Sequence, residues 1–276
     1  MRLDFQRKET YTIEDLLQIV RILRSPGGCP WDREQTHHSI RACLIEETYE
    51  VVEAIDTENA ELLQEELGDV LLQVVFHADL EEEAGRFRFD QVADGICKKL
   101  IIRHPHVFGD VHVQDTAEVL TNWDAIKKRT KHQTTQAQVL ESVSPALPAL
   151  MRSAKVQQKA AKSGYDFADV WQTLQKVEEE TAELKEAIRK GNVQDCEQEV
   201  GDLLFSVVNA ARHLNMEPEQ ALTISCNKFI ARFTAAEELA QERGQRLNTL
   251  SPEELDELWC EVKQRTIPQL ENQTVK

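Results

Sequence analysis

Glu179-Glu180-Thr181-Ala182-Glu183, followed by Glu199-Val200-Gly201-Asp202, decides how this chain is read, because the pattern occurs twice. At an offset of 133 stand Glu46-Glu47-Thr48-Tyr49-Glu50 and Glu66-Leu67-Gly68-Asp69. The flanks repeat too: Leu67-Gly68-Asp69-Val70-Leu71-Leu72 resembles Val200-Gly201-Asp202-Leu203-Leu204-Phe205. Lys99 and Arg103 correspond to Lys228 and Arg232 at an offset of 129, and Trp123 and Lys127 to Trp259 and Lys263 at 136. Small changes of offset are what loops of unequal length between shared helices produce. With 49 acidic residues in 276, an isolated five-acid pattern arises by chance in roughly one chain in twenty. A second copy at the same internal spacing, with matching basic and aromatic pairs, marks a repeated unit.

The fold class expected is all-α. Gly and Pro number only 10 and 8, and strand-type alternation is scarce. Helical patterns run over 12–24, 39–56, 60–83, about 115–130, 149–162, 169–190, 194–214, 217–242 and 251–265. Thr12 is a candidate N-cap with Asp15 at the capping-box position. Ile45, Tyr49, Val52 and Ile55 follow helical spacing, and the run Val70–Phe76 is apolar enough to be read as core. Breakers cluster in Ser25–Asp32 and at Arg103-His104-Pro105-His106. The Gln/Thr/Ser-rich stretch 131–148, with Pro145 and Pro148, is the expected linker between an N-terminal unit, 1–130, and a C-terminal unit, 149–276.

A net charge of −17 argues against nonspecific nucleic-acid binding and against anionic membranes as partners. The six cysteines are scattered with no C-x-x-C pair, which fits a reducing cytoplasmic compartment better than a disulfide framework. No signal-peptide core or membrane-length apolar run is present in the sequence.

Residues three and four apart share a helix face, so Glu180 and Glu183 point together, with Glu179 beside them. Glu199 and Asp202 do the same on the next helix. If the two helices pack antiparallel, four carboxylates converge and repel. Mg²⁺, with Mn²⁺ as a possible substitute, resolves that repulsion, and Mg²⁺ also takes phosphate oxygens as ligands. A single E-E-x-x-E is usually a solvated helix face; the repeat and its apolar flanks weigh against that reading here. Asp69 and Asp202 each follow a mid-helix Gly, which is poor for helix propensity. A di-iron bundle would want Glu-x-x-His, and both pairs are Glu-x-x-Asp. Lys228 and Arg232, one turn apart, are candidate phosphate ligands, the alternative being a surface basic pair. Trp259 with Lys263 offers a stacking face and a cation, the alternative being a core Trp beside a surface Lys. His104 and His106 read as loop residues. No P-loop, complete Nudix signature or G-x-S-x-G motif is present.

Gly28-Cys-Pro-Trp-Asp32, Leu44-Ile-Glu-Glu-Thr-Tyr-Glu50, Arg103-His-Pro-His-Val-Phe108, Ser144-Pro-Ala-Leu-Pro-Ala-Leu-Met151 and both acidic motifs make the chain resemble the MazG family along nearly its whole length. The resemblance implies a homodimer of tandem helical bundles that hydrolyses nucleoside triphosphates between the α and β phosphates. It implies Glu180, Glu183, Glu199 and Asp202 as metal ligands, and activity in the C-terminal copy. Lys176, Glu179, Lys228, Arg232 and Trp259 would contact nucleotide, with Lys263 nearby and Glu179 as candidate general base. The expected reaction is attack of water on the α phosphorus with two Mg²⁺ ions assisting, giving nucleoside monophosphate and diphosphate. A helical scaffold that senses nucleotide and metal without turnover is the competing reading. The residues themselves distinguish the copies: one turn before the acidic motif stands Lys176 in the second and Cys43 in the first. Glu46, Glu47, Glu50, Glu66 and Asp69 form a possible vestigial site.

Overall fold

The computed structural model describes residues 5–131 and 133–271, the side chains of 266–271 excepted. Among the described residues every regular element is a helix. The chain divides into two compact units between Lys127 and Lys128.

The first unit holds α1 (Ile13–Arg24), α2 (Pro30–Glu34), α3 (Arg41–Asp56), α4 (Ala60–Glu83), α5 (Phe89–Arg103), α6 (Pro105–Phe108) and most of α7 (Thr116–Thr130). In the cap of α1, Asp15 accepts a hydrogen bond from the Thr12 backbone N–H at 2.9 Å. Long α3 and α4 pack along each other, and α1 crosses α4. Val20, Ile40, Val75 and Phe76 form the buried cluster. The expected core run 70–76 is therefore core on one side only. Leu71 and Val74 remain 39% and 36% exposed, and Ile45, Tyr49, Val52 and Ile55 on α3 are all exposed. Within its own unit α3 has one packed face, against α4, and those apolar side chains lie off it.

The second unit holds α8 (Gln136–Glu141), α9 (Ala149–Ala161), α10 (Val170–Lys190), α11 (Val193–His213), α12 (Pro218–Glu242), a 3₁₀ turn (Leu247–Thr249) and α13 (Pro252–Glu271). The stretch expected as a linker thus contains a helix. Thr135 caps α8 by accepting from the Gln138 backbone N–H, and Val139 is buried. The α10–α11 pair repeats α3–α4, α9 lies on α11 as α1 lies on α4, and α12 packs on α13. The α12–α13 core is Ala236, Leu239, Ala240, Leu258 and Val262.

The turn between the paired helices is short in both units, which forces them antiparallel. In the second, Gly191 ends α10 at φ +70° and Asn192 starts α11, its Oδ1 accepting from the Gln194 backbone N–H at 3.0 Å. In the first, Asn59 does the same for Leu62 N–H at 3.1 Å, but the residue before it is Glu58, at φ +51°. A left-handed conformation suits Gly and strains a residue with a Cβ.

The charge at one position on the second helix of each pair is reversed between the units. Arg24, at the end of α1, donates from Nε to Asp79 Oδ2 on α4 at 2.8 Å. At the position of Asp79 the second unit has Arg212, which pairs with Asp166 in the loop after α9.

Candidate metal centre

Each antiparallel pair brings its acidic motifs to one place. On α10 and α11, oxygen atoms of Glu180, Glu199 and Asp202 lie within 4.8 Å of one another; on α3 and α4, those of Glu47, Glu66 and Asp69 do the same. The helical period explains the selection. Glu180 faces α11 and is 5% exposed, whereas Glu179, one residue earlier, points outward. Glu46 and Glu47 divide in the same way. Glu183 is exposed but lies against Glu180. Burial first, and then the Glu180 charge, pushes the Glu183 carboxyl above the usual range.

The two clusters differ electrostatically. In the first unit, burial and neighbouring carboxylates raise both Glu47 and Glu66, with Glu50 and Asp69 among the repelling groups. In the second, Lys176 sits on the acids. Its Nζ lies 2.7 Å from Oε1 of Glu179 and 2.7 Å from Oε1 of Glu180. These bonds hold the Lys176 ammonium well above the ordinary lysine range. Close carboxylates on two helices, with a lysine ammonium against the buried one, fit the chemistry of a divalent-cation centre: all donors are hard oxygens and the site already attracts positive charge.

The other expected site residues form a second group. Lys228 and Arg232 lie on α12, both partly buried, and the Arg232 Nε is buried without a hydrogen-bond partner. Trp259 and Lys263 lie on α13. Trp259 packs on the α12–α13 core and meets the Phe229 ring at 5.4 Å between centroids. The stacking face expected of Trp259 is thus shared with Phe229. In the first unit the matching residues make a cation–π group, with the Arg103 guanidinium 5.5 Å and the Lys127 ammonium 5.9 Å from the Trp123 ring. α12 contacts α13, α9 and α11, which places this group in the same unit as the carboxylates. His104 Nδ1 lies 2.7 Å from the Leu100 carbonyl oxygen at the end of α5, in keeping with a role at the helix break.

Sequence reasoning missed one polar network. His37 Nδ1 lies 2.7 Å from His77 Nδ1, and His37 Nε2 lies 2.6 Å from Glu81 Oε1. Arg86 grips Glu81 through Nε and a terminal nitrogen at 2.5 and 2.6 Å. That grip lowers the Glu81 carboxyl to about 2. The group lines a cavity of about 410 Å³ with Val74, Phe87 and Val92, away from the carboxylate centre. The i,i+4 spacing of His77 and Glu81 was a signal for it; the approach of His37 from another segment was not.

The model of the MazG nucleotide pyrophosphohydrolase domain matches the chain twice, over residues 35–108 and 168–235. Both matches enclose a carboxylate pair. The chain is 45% identical to the nucleoside triphosphate pyrophosphohydrolase/pyrophosphatase MazG of Thermotoga maritima, over 91% of this chain and 95% of that protein. It is 42% identical to the nucleoside triphosphate pyrophosphohydrolase of Escherichia coli K12, over 92% and 98%. It is also 48% identical to the YabN protein of Bacillus subtilis, over 89% of this chain but only 50% of that longer protein.

Proposed function

The chain belongs to the MazG nucleotide pyrophosphohydrolase family, and from that premise we propose that its second unit cuts nucleoside triphosphates to monophosphate and diphosphate at a divalent-cation centre. The coarse activity follows from the relatives: this is an enzyme, a nucleoside triphosphate pyrophosphohydrolase. The observation that carries the finer reading is the convergence of Glu180, Glu199 and Asp202 on α10 and α11.

In this reading Glu180, Glu199 and Asp202, with Glu183 beside them, hold Mg²⁺, or Mn²⁺ in its place. Two such ions would supply charge neutralisation for the polyphosphate and a lowered pKa for the attacking water. The protein's own groups do the rest. Rigid α10 and α11 fix the carboxylates. Glu179, outside the triad, is the base that accepts the water's proton. Lys176, Lys228 and Arg232 bind phosphate oxygens and stabilise charge on the departing diphosphate. Trp259 and Lys263 lie along the nucleoside end. Product analysis with ATP tests the site of cleavage: AMP and diphosphate are expected, abolished by EDTA. ADP and orthophosphate would refute attack at the α phosphorus.

The same reading makes the protein a cytoplasmic homodimer. All six cysteines are free, and no described helix is long and apolar enough to cross a membrane. Exposed Ile45, Tyr49, Val52 and Ile55 on α3, and Phe229, Ile230 and Phe233 on α12, are apolar faces that a second copy would cover. Sedimentation analysis tests this; a monomer at micromolar concentration would reject it.

A further inference from the structure

Lys176 was expected to face phosphate, yet its ammonium lies on Glu179 and Glu180, 2.7 Å from each. Glu180 is 5% exposed and belongs to the carboxylate triad. A carboxylate so buried is costly without a partner, and Lys176 is its ion-pair partner among the described residues. A divalent cation on the triad would compete with the ammonium for Glu180, whose Oε1 the ammonium occupies. Two cations within about 4 Å of each other repel strongly in a partly dry site.

We propose that Lys176 is the resident counter-ion of the metal-free centre. It exchanges places with the divalent cation, and is then released to bind the triphosphate. The proposal rests on the metal reading given above. The Lys176 side chain is 34% exposed, so its flexible four-carbon stem has an open path off Glu180. Cation loading and substrate binding are thereby coupled: the centre presents its nearest phosphate-binding ammonium only once the carboxylates have another partner. Until then the ammonium screens the acids. The first unit lacks this device, because Cys43 occupies the corresponding position.

The test is Mn²⁺ titration without nucleotide, followed by electron paramagnetic resonance of the free ion. The full chain is used, with the first triad silenced by Glu47→Gln and Asp69→Asn. Lys176→Ala and Lys176→Gln are expected to bind Mn²⁺ roughly threefold or more tighter than this parent, the increment of a released ion pair. With Mn²⁺ saturating, the same variants are expected to bind a non-hydrolysable α,β-substituted triphosphate about tenfold more weakly, as loss of a charge-assisted contact implies. A lysine with a merely structural role would not move the two affinities in opposite directions. Unchanged or weaker Mn²⁺ binding in both variants overturns the exchange while leaving the metal reading intact. No Mn²⁺ binding by the parent overturns both. A reciprocal arm silences the second triad with Glu180→Gln and Asp202→Asn and adds Cys43→Lys. Mn²⁺ binding at the first unit should then weaken, and tightening there would count against the proposal.

Discussion

The two units carry nearly the same carboxylates on the same helix pair, yet their acids meet different company. In the second unit Lys176 lies on Glu179 and Glu180. In the first, Cys43 stands at that position, and both Glu47 and Glu66 titrate above their usual range. The second unit places Phe229 against Trp259, whereas the first places Arg103 and Lys127 over Trp123. Ligand carboxylates alone do not make two equivalent centres. On the proposed function the surrounding cations decide how a triphosphate is received, and in the first unit two of them are engaged with an aromatic ring.

The largest test of this difference is direct. Glu180→Ala or Asp202→Ala should lower kcat/KM for ATP by about 10³-fold or more, a loss at least as large as removal of one preorganised electrostatic group. Glu47→Ala or Asp69→Ala should cost less than about fivefold, under 1 kcal/mol of barrier. If the first-unit changes are the lethal ones, the assignment of the active copy falls. Next, Lys228→Ala and Arg232→Ala should each lower kcat/KM by roughly 10- to 100-fold, as expected for lost charged contacts of about 1.5–3 kcal/mol. Lys99→Ala and Arg103→Ala should leave steady-state kinetics within about fivefold. Equal losses in both units would show that the first also handles substrate.

A pH test isolates a feature that the second unit lacks, since Leu214 occupies the place of Glu81. Arg86 holds the folded Glu81 pKa at about 2, below its ordinary 4.5. The stability Glu81 contributes is therefore complete above about pH 4.5 and is lost as pH falls towards 2. Arg86→Ala should raise the Glu81 carboxyl, as read by NMR titration, and reduce the acid sensitivity of the first unit's melting between those limits. An unmoved Glu81 would refute Arg86 as the cause. The smallest effect concerns the paired-helix turns. Glu58→Gly should stabilise the first unit by about 1 kcal/mol by relieving a left-handed residue. Gly191→Ala should destabilise the second by a similar amount. Denaturant melts read both, and a destabilising Glu58→Gly would mean that the Glu58 side chain contributes more than its backbone strain costs.

Much of this fold was legible in residue spacing. The 3.6-residue period set α3, α4, α10 and α11 to within two residues of expectation. The pairing of the acidic motifs followed from antiparallel helices. Two kinds of feature were not legible. The extent of burial was overstated for Val70–Phe76, because an apolar run does not reveal whether its second face is covered within the chain. Contacts between distant segments were also hidden. His37 meets His77, and Lys176 turns to Glu180 rather than outward, because such choices depend on side-chain rotamers and local charge. The short helix α8 escaped because its Gln/Thr/Ser composition reads as loop, although Thr135 and Gln138 cap it reciprocally.

The reversal from Asp79 to Arg212 bears on how a duplicated chain avoids folding wrongly. Two similar helix pairs emerging from one ribosome can trade partners, a known hazard of repeat proteins. If α1 docked on α11 in place of α9, Arg24 would meet Arg212. The reverse trade would set neutral Gln157, which stands at the offset of 133 from Arg24, against Asp79. The first wrong pairing sets like charges against each other, and the second leaves Asp79 without the arginine that holds it. One reversed charge thus penalises the swapped assembly in both directions.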